Sequence, residues 1–194
     1  MATDLVTLAE YKAYAGISSD TLDSVVTAII PKASQLVKSL CRRTFVDYIN
    51  DPKVEIYSGN NEAKIYLKEY PILQIYGVEY SVDFGSTYAD LEEYVDFVLD
   101  LEDGSIAAIS SGAPSLFIKY VNGYRVTYTA GYETLPNDLK VAVLDLVTYY
   151  VKNDASVHSP KAPGTNTVQI EYITTTNLPA HIKRVLDLYT ASFD

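Results

Sequence analysis

The chain has 194 residues, 48% hydrophobic and 21% charged, with a net charge of −10 at pH 7. That is the balance of a folded globular chain of one domain, or one domain with an insertion, and its single cysteine excludes a disulfide framework or a multi-cysteine zinc site. A sequence-reading DNA binder would carry a basic face, whereas this chain's excess charge is acidic.

Thr7-Leu8-Ala9-Glu10 reads as a capping box that opens a short helix, with Gly16 ending it in the left-handed conformation. Ser18, Ser19 or Asp20 caps a second, long helix, in which Leu22, Val25, Ile29, Ala33, Leu36 and Leu40 recur at spacings of three and four. The stripe keeps phase across Pro31, so the spacing predicts one kinked helix rather than two. Arg42 and Arg43 fall in its last turn. There they either complement the helix dipole and stay solvated or contact a partner or phosphates.

From Val46 to Ala130 the period changes to two. Val54–Tyr57, Ala63–Leu67, Leu73–Val78 and Tyr94–Leu99 read as strands bounded by turn residues. Asp103-Gly104 and Asn122-Gly123 are hairpin signals, and Phe117–Tyr120 is expected to pair with Arg125–Tyr128 across the second. Strands that follow one another through turns make a mainly antiparallel sheet. No Lys or Arg lies between Lys68 and Lys119, an interval holding Glu69, Glu79, Asp83, Asp90, Glu92, Glu93, Asp96, Asp100, Glu102 and Asp103. Tyrosine is unusually common, at 18 residues. Tyrosines on strands stabilise the sheet by pairing across it, and exposed ones serve as contact residues.

Tyr128 ends a strand, Gly131 makes a turn that a side chain would obstruct, and Tyr132 follows. Pro136 suits the first helical position, and Asp138 sets a negative charge on the first turn. Leu139, Val143, Leu146 and Tyr150 form one helix face, widened by Ala142, Val147 and Tyr149. A helix this apolar is covered on more than one side. Asn153–Thr167 reads as a linker and Thr167–Ile173 as a strand, one that another subunit's sheet could accept. Pro179 opens a last helix with Ile182, Leu186, Tyr189 and Phe193 on one face and Lys183 and Arg184 beside them.

Three segments together carry a resemblance. They are the opening Leu5–Ile17 with its long helix and Cys41-Arg42-Arg43-Thr44-Phe45; Tyr128-Thr129-Ala130-Gly131-Tyr132 followed by Pro136-Asn137-Asp138-Leu139-Lys140; and Leu178-Pro179-Ala180-His181-Ile182-Lys183-Arg184-Val185-Leu186. In this order the chain resembles the head–tail connector (adaptor, head-completion) proteins of tailed bacteriophages. The resemblance implies a non-enzymatic virion protein, assembled in the host cytoplasm at the head–tail interface. It implies a ring of about twelve copies under the portal, which extends the DNA channel and offers a surface to the tail, stopper or tail-completion protein. Double-stranded DNA would pass through without sequence-specific binding.

Within that frame the expected fold is α+β. Residues 1–45 give N-terminal helices of a small core, 46–130 an inserted β-rich segment, 131–153 the central helix, and 154–194 a linker and C-terminal arm. Ile182, Lys183, Arg184, Leu186, Tyr189 and Phe193 are candidates for gripping the portal, unless the arm folds on its own core. Asp83, Asp90, Glu92, Glu93, Asp96, Asp100, Glu102 and Asp103 either line the channel, face the tail, or form a solvated face. Tyr128, Gly131, Tyr132, Pro136 and Asp138 are the structural motif. A second reading is a phage receptor- or carbohydrate-binding module, supported by the tyrosine-rich sheet with acidic loops.

Nothing in the sequence assembles a catalytic, metal or cofactor site. His158 reads as a loop residue, His181 as exposed or at an interface, and Cys41 as a small hydrophobe beside the stripe. Asp100–Gly104 is rich in carboxylates but lacks EF-hand spacing. No apolar run approaches the roughly 18 residues of a membrane span, and Met1-Ala2-Thr3-Asp4 has no secretion-signal character.

Overall fold

The computed structural model describes residues 3–101, 103–157 and 178–191. The fold is α+β, in two compact units: Ala2–Arg42 with Leu135–Thr190, and Arg43–Thr134.

The first unit is helical. α1 (Leu8–Ala15) has the capping box expected of it, with Thr7 Oγ1 accepting from the Glu10 N–H at 3.2 Å and Glu10 Oε2 accepting from the Thr7 N–H at 2.8 Å. Gly16 ends it at φ 66°. α2 (Asp23–Cys41) starts later than the sequence suggests and has no side-chain cap. Asp20 is engaged elsewhere, because its carboxylate accepts from Lys12 Nζ at 2.6 Å. α2 runs unbroken through Pro31. Thr27 and Pro31 are both exposed, so the carbonyl that Pro31 leaves without a helical donor lies on the solvent side.

The buried face of α2 is Val26, Ile30, Ala33, Val37 and Cys41, one residue on from most of the expected stripe; Leu22 is exposed and Val25, Ile29, Leu36 and Leu40 are half-buried. α3 (Asn137–Val157) buries Leu139, Ala142, Val143, Leu144, Leu146 and Val147, so it is covered on more than one side as expected. Pro136 stands just before it, its carbonyl accepting from the Lys140 N–H. α3 also continues to Val157, through residues whose composition reads as linker. α4 (Ala180–Tyr189) packs on α2 and α3. His158, Thr167–Ile173 and Phe193 lie outside the described residues.

The second unit holds two antiparallel sheets. One has the order β1 (Lys53–Tyr57), β8 (Tyr124–Ala130), β3 (Ile72–Tyr80), β4 (Ala89–Leu91). The other has the order β2 (Lys64–Tyr66), β6 (Ser105–Ser110), β5 (Phe97–Asp100), with β7 (Ala113–Pro114) beside β6. A shared core joins them: Ile72, Val78, Tyr124, Val126 and Tyr128 from the first sheet meet Ile65, Phe97, Ile106 and Ala108 from the second. β5 and β6 form the hairpin that Asp103-Gly104 announces, with Gly104 at φ 65°. The expected second hairpin does not form. Asn122 does turn left-handed, at φ 52°, but β8 is saturated by β1 and β3. Phe117 makes only a single bridge, to Glu62.

Candidate functional site

The motif residues around Gly131 tie three remote segments together. The Gly131 N–H donates to the Pro71 carbonyl at 2.9 Å, the Tyr132 N–H to the Phe45 carbonyl at 2.8 Å, and the Ala130 N–H to the Tyr48 carbonyl at 3.0 Å. Gly131 sits at φ 118°, and a Cβ there would lie 2.3 Å from the Phe45 carbonyl oxygen. Only glycine fits.

Arg43 enters the same knot. It is not a solvated last-turn cation, being only 2% exposed. The left-handed Arg42, at φ 56°, reverses the chain and turns Arg43 inward. Its guanidinium lies 3.3 Å from the centre of the Tyr70 ring, with Phe45 at 5.0 Å and Tyr132 at 5.9 Å, and it donates to the Tyr70 carbonyl. Its Nε and Nη1 have no hydrogen-bond acceptor among the described residues, and ring faces take that place.

Tyr128 leads to a buried charge network. Its hydroxyl donates to Glu55 Oε2 at 2.7 Å and accepts from the Glu69 N–H at 3.1 Å. Lys53 Nζ lies 2.9 Å from Glu55 and 3.3 Å from Glu69, and Glu69 also accepts from the Thr44 N–H at 3.0 Å. Burial opposes ionisation of Glu55, yet donors from Tyr57, Lys53 and Tyr128 hold its carboxyl below the usual range. Burial and the Glu55 charge push the Tyr57 and Tyr128 hydroxyls far up, so both stay neutral donors. Glu69, first of the acidic interval, is therefore a core residue.

The rest of that interval divides. Lys64 Nζ pairs with Asp100 at 2.8 Å and with Asp103, across the β2–β6 pair and the β5–β6 hairpin. Glu79 holds Arg125 through two hydrogen bonds, and Arg125 stacks 4.2 Å from the centre of the Tyr88 ring. Asp83 accepts from Ser81 Oγ at 2.7 Å, the Thr87 N–H at 2.9 Å and Thr87 Oγ1 at 2.7 Å, which lower its carboxyl to about 2. Asp96 accepts from the Glu92 N–H at 2.9 Å. Asp90, Glu92 and Glu93 are exposed, and Glu102 lies outside the described residues. Sequence spacing shows the acidity, but not that six of these ten carboxylates brace backbone or cations.

On α4 the apolar candidates are occupied. Ile182 and Leu186 are buried in the helical unit, and the Leu186 carbonyl accepts from Cys41 Sγ at 3.5 Å. The Tyr189 hydroxyl donates to Asp138 at 2.7 Å, which with the Leu139 N–H lowers the Asp138 carboxyl. Lys183, Arg184 and Leu188 remain outside, Leu188 at 74% exposure. His181 is exposed, 3.5 Å from Asp145. Of the tyrosines, Tyr11, Tyr124 and Tyr128 are buried, while Tyr66, Tyr76 and Tyr94 are exposed. Among the described residues no group of His, Cys, Asp and Glu could hold a metal ion, and no helix is long and apolar enough to cross a membrane.

Residues 4–191 match the family model described as "Head completion protein". The chain belongs to that family, and so to the head–tail connectors, structural components of the virion. Its fold is also that of subunits in a gene transfer agent particle. A chain in the "neck of empty GTA particle computed with C6 symmetry" is 16% identical, with a TM-score of 0.58 over 97% of this chain and 90% of that one. A chain in the "neck of native GTA particle computed with C12 symmetry" is 15% identical, with a TM-score of 0.55 over 99% and 96%. A third, in the "virion of native gene transfer agent (GTA) particle", is 13% identical at 0.58. No curated protein matches in sequence.

Proposed function

We propose that the chain closes into a ring beneath the portal, extends the DNA channel, and presents the surface on which the tail or its stopper is built, without catalysing a reaction. The observation that carries this reading is the family match across residues 4–191. The neck particles with C6 and C12 symmetry give it a ring-shaped context. The same match favours the connector over a glycan-binding module.

The portal contact falls to the outer flank of α4. Ile182 and Leu186 are core, so the residues exposed to another protein there are Lys183, which pairs with Asp187 at 2.8 Å along the helix, Arg184 and Leu188. Deleting α4 would expose the α2–α3 core and confuse unfolding with lost contact. The test is therefore charge reversal: Lys183→Glu with Arg184→Glu, mixed with the portal protein of the same genome and imaged by electron microscopy. Rings on the wild-type portal that vanish in the variant support both ring and flank. Rings that persist keep the connector and remove the flank. No association for wild type at any salt concentration counts against the portal partner.

A further inference from the structure

The acidic interval contains two loops built the same way, one at each end of the three-residue strand β4. In residues 81–88, the buried Ser81 hydroxyl accepts from the Asp83 and Gly85 N–H groups at 3.3 and 2.9 Å, and Asp83 accepts from Thr87 twice. The Tyr88 hydroxyl ties the loop to the Asn122 carbonyl at 3.0 Å. In residues 92–96, the Asp96 carboxylate accepts from the Glu92 N–H, the Asp96 N–H donates to the Glu92 carbonyl at 2.8 Å, and the Tyr94 N–H donates to Phe97 at 2.7 Å.

Each loop thus uses a carboxylate to hold its backbone, and each thrusts an aromatic side chain outward. Phe84 is 73% exposed and Tyr94 75% exposed. Both stand in the left-handed region, at φ 62° and 66°. A bulky residue is strained there. Val82 and Val95 are exposed beside them. The loop hydrogen bonds hold these conformations, but neither aromatic side chain is buried in return for the strain.

We infer that these loops are a pair of rigid knobs that dock a protein offering apolar sockets ringed by Lys or Arg. The inference rests on the connector reading and places this face on the tail side. The charge argues for that chemistry. Asp90, Glu92 and Glu93 are exposed around the knobs, so DNA phosphates and the same face of a second copy are repelled, while a basic rim is attracted. Exposed aromatics on pre-ordered loops lose little freedom on binding, which makes them anchors.

The test complements a gene deletion in the particle-producing genome with variant chains and counts DNA-filled heads with and without tails. Phe84→Asn and Tyr94→Asn put a residue tolerant of positive φ at each site. The purified double variant is expected to keep or raise its Tm. It should still be found on DNA-filled heads, yet lower the yield of tailed particles by about tenfold or more. Glu92→Lys with Glu93→Lys, on exposed side chains, should lower the same yield. Wild-type yield from both variants overturns the proposal. So does a stable variant missing from the heads, which would put the knobs on the portal side, or one that changes only self-association in solution. If the asparagine variant lowers Tm, the lysine pair decides alone. A deletion that leaves tailed particles intact would defeat the connector reading itself, an outcome distinct from failure of the knobs.

Discussion

Gly131 is the position where a single methyl group does most harm. A Cβ there meets a backbone carbonyl that has no room to retreat, at a φ outside the range of L-residues. Gly131→Ala is expected to lower unfolding free energy by about 3 kcal/mol, read from urea midpoints. An unchanged midpoint would mean that the turn is not held as described. The Glu55 carboxyl gives a second prediction. Its folded pKa is depressed, so the native state binds fewer protons than the unfolded chain in the acid range. The stabilisation it brings is present above the ordinary carboxyl value of about 4.3 and is lost as pH falls from there through the lower folded value. Glu55→Gln should therefore be less stable than wild type near neutrality, with the gap narrowing in acid. A gap that stays constant with pH would show that Glu55 contributes shape rather than charge.

Among the elements, α4 is the clearest case for measurement. Leu186→Ala removes a side chain buried against α2 and α3 and is expected to destabilise the chain by about 2–5 kcal/mol. Leu188→Ala, on the exposed flank, should change stability by under about 0.5 kcal/mol. Equal effects would mean that the helix does not pack in this orientation. The sequence makes the existence of α1, α2, α3, α4 and most strands legible, because their periods and caps are local. Which edge of α2 is central is not legible. Val25 and Val26, Ile29 and Ile30, Leu36 and Val37, and Leu40 and Cys41 come as neighbours about 100° apart, and only the packing of α3 and α4 selects the second of each pair. The left-handed turn at Asn122 is local and was readable; the choice of β1 and β3 as partners of β8 is long-range and was not. Arg43 belongs to the same class, since Tyr70 and Tyr132 reach it from distant parts of the chain.

For the whole molecule, net charge sets the conditions of assembly. Copies carrying −10 each repel one another in dilute buffer. Raising salt from about 0.05 to 0.5 M should favour association of the isolated copies with one another, as screening shortens the Debye length from about 14 to about 4 Å. Mass photometry would count the subunits. Rings that dissolve with salt would instead show that ion pairs join the copies. The sole cysteine offers a way to follow this. Cys41 is fully buried, its thiol donating to the Leu186 carbonyl, so a thiol reagent can reach it only when the helical unit opens. Its labelling rate is a clock for opening of the helical unit, and it should slow when the outer flank of α4 is clamped by a portal. After denaturation the same thiol becomes a stoichiometric tag. One label per chain would turn the colour of a dissolved, purified assembly into a head count of the proposed ring.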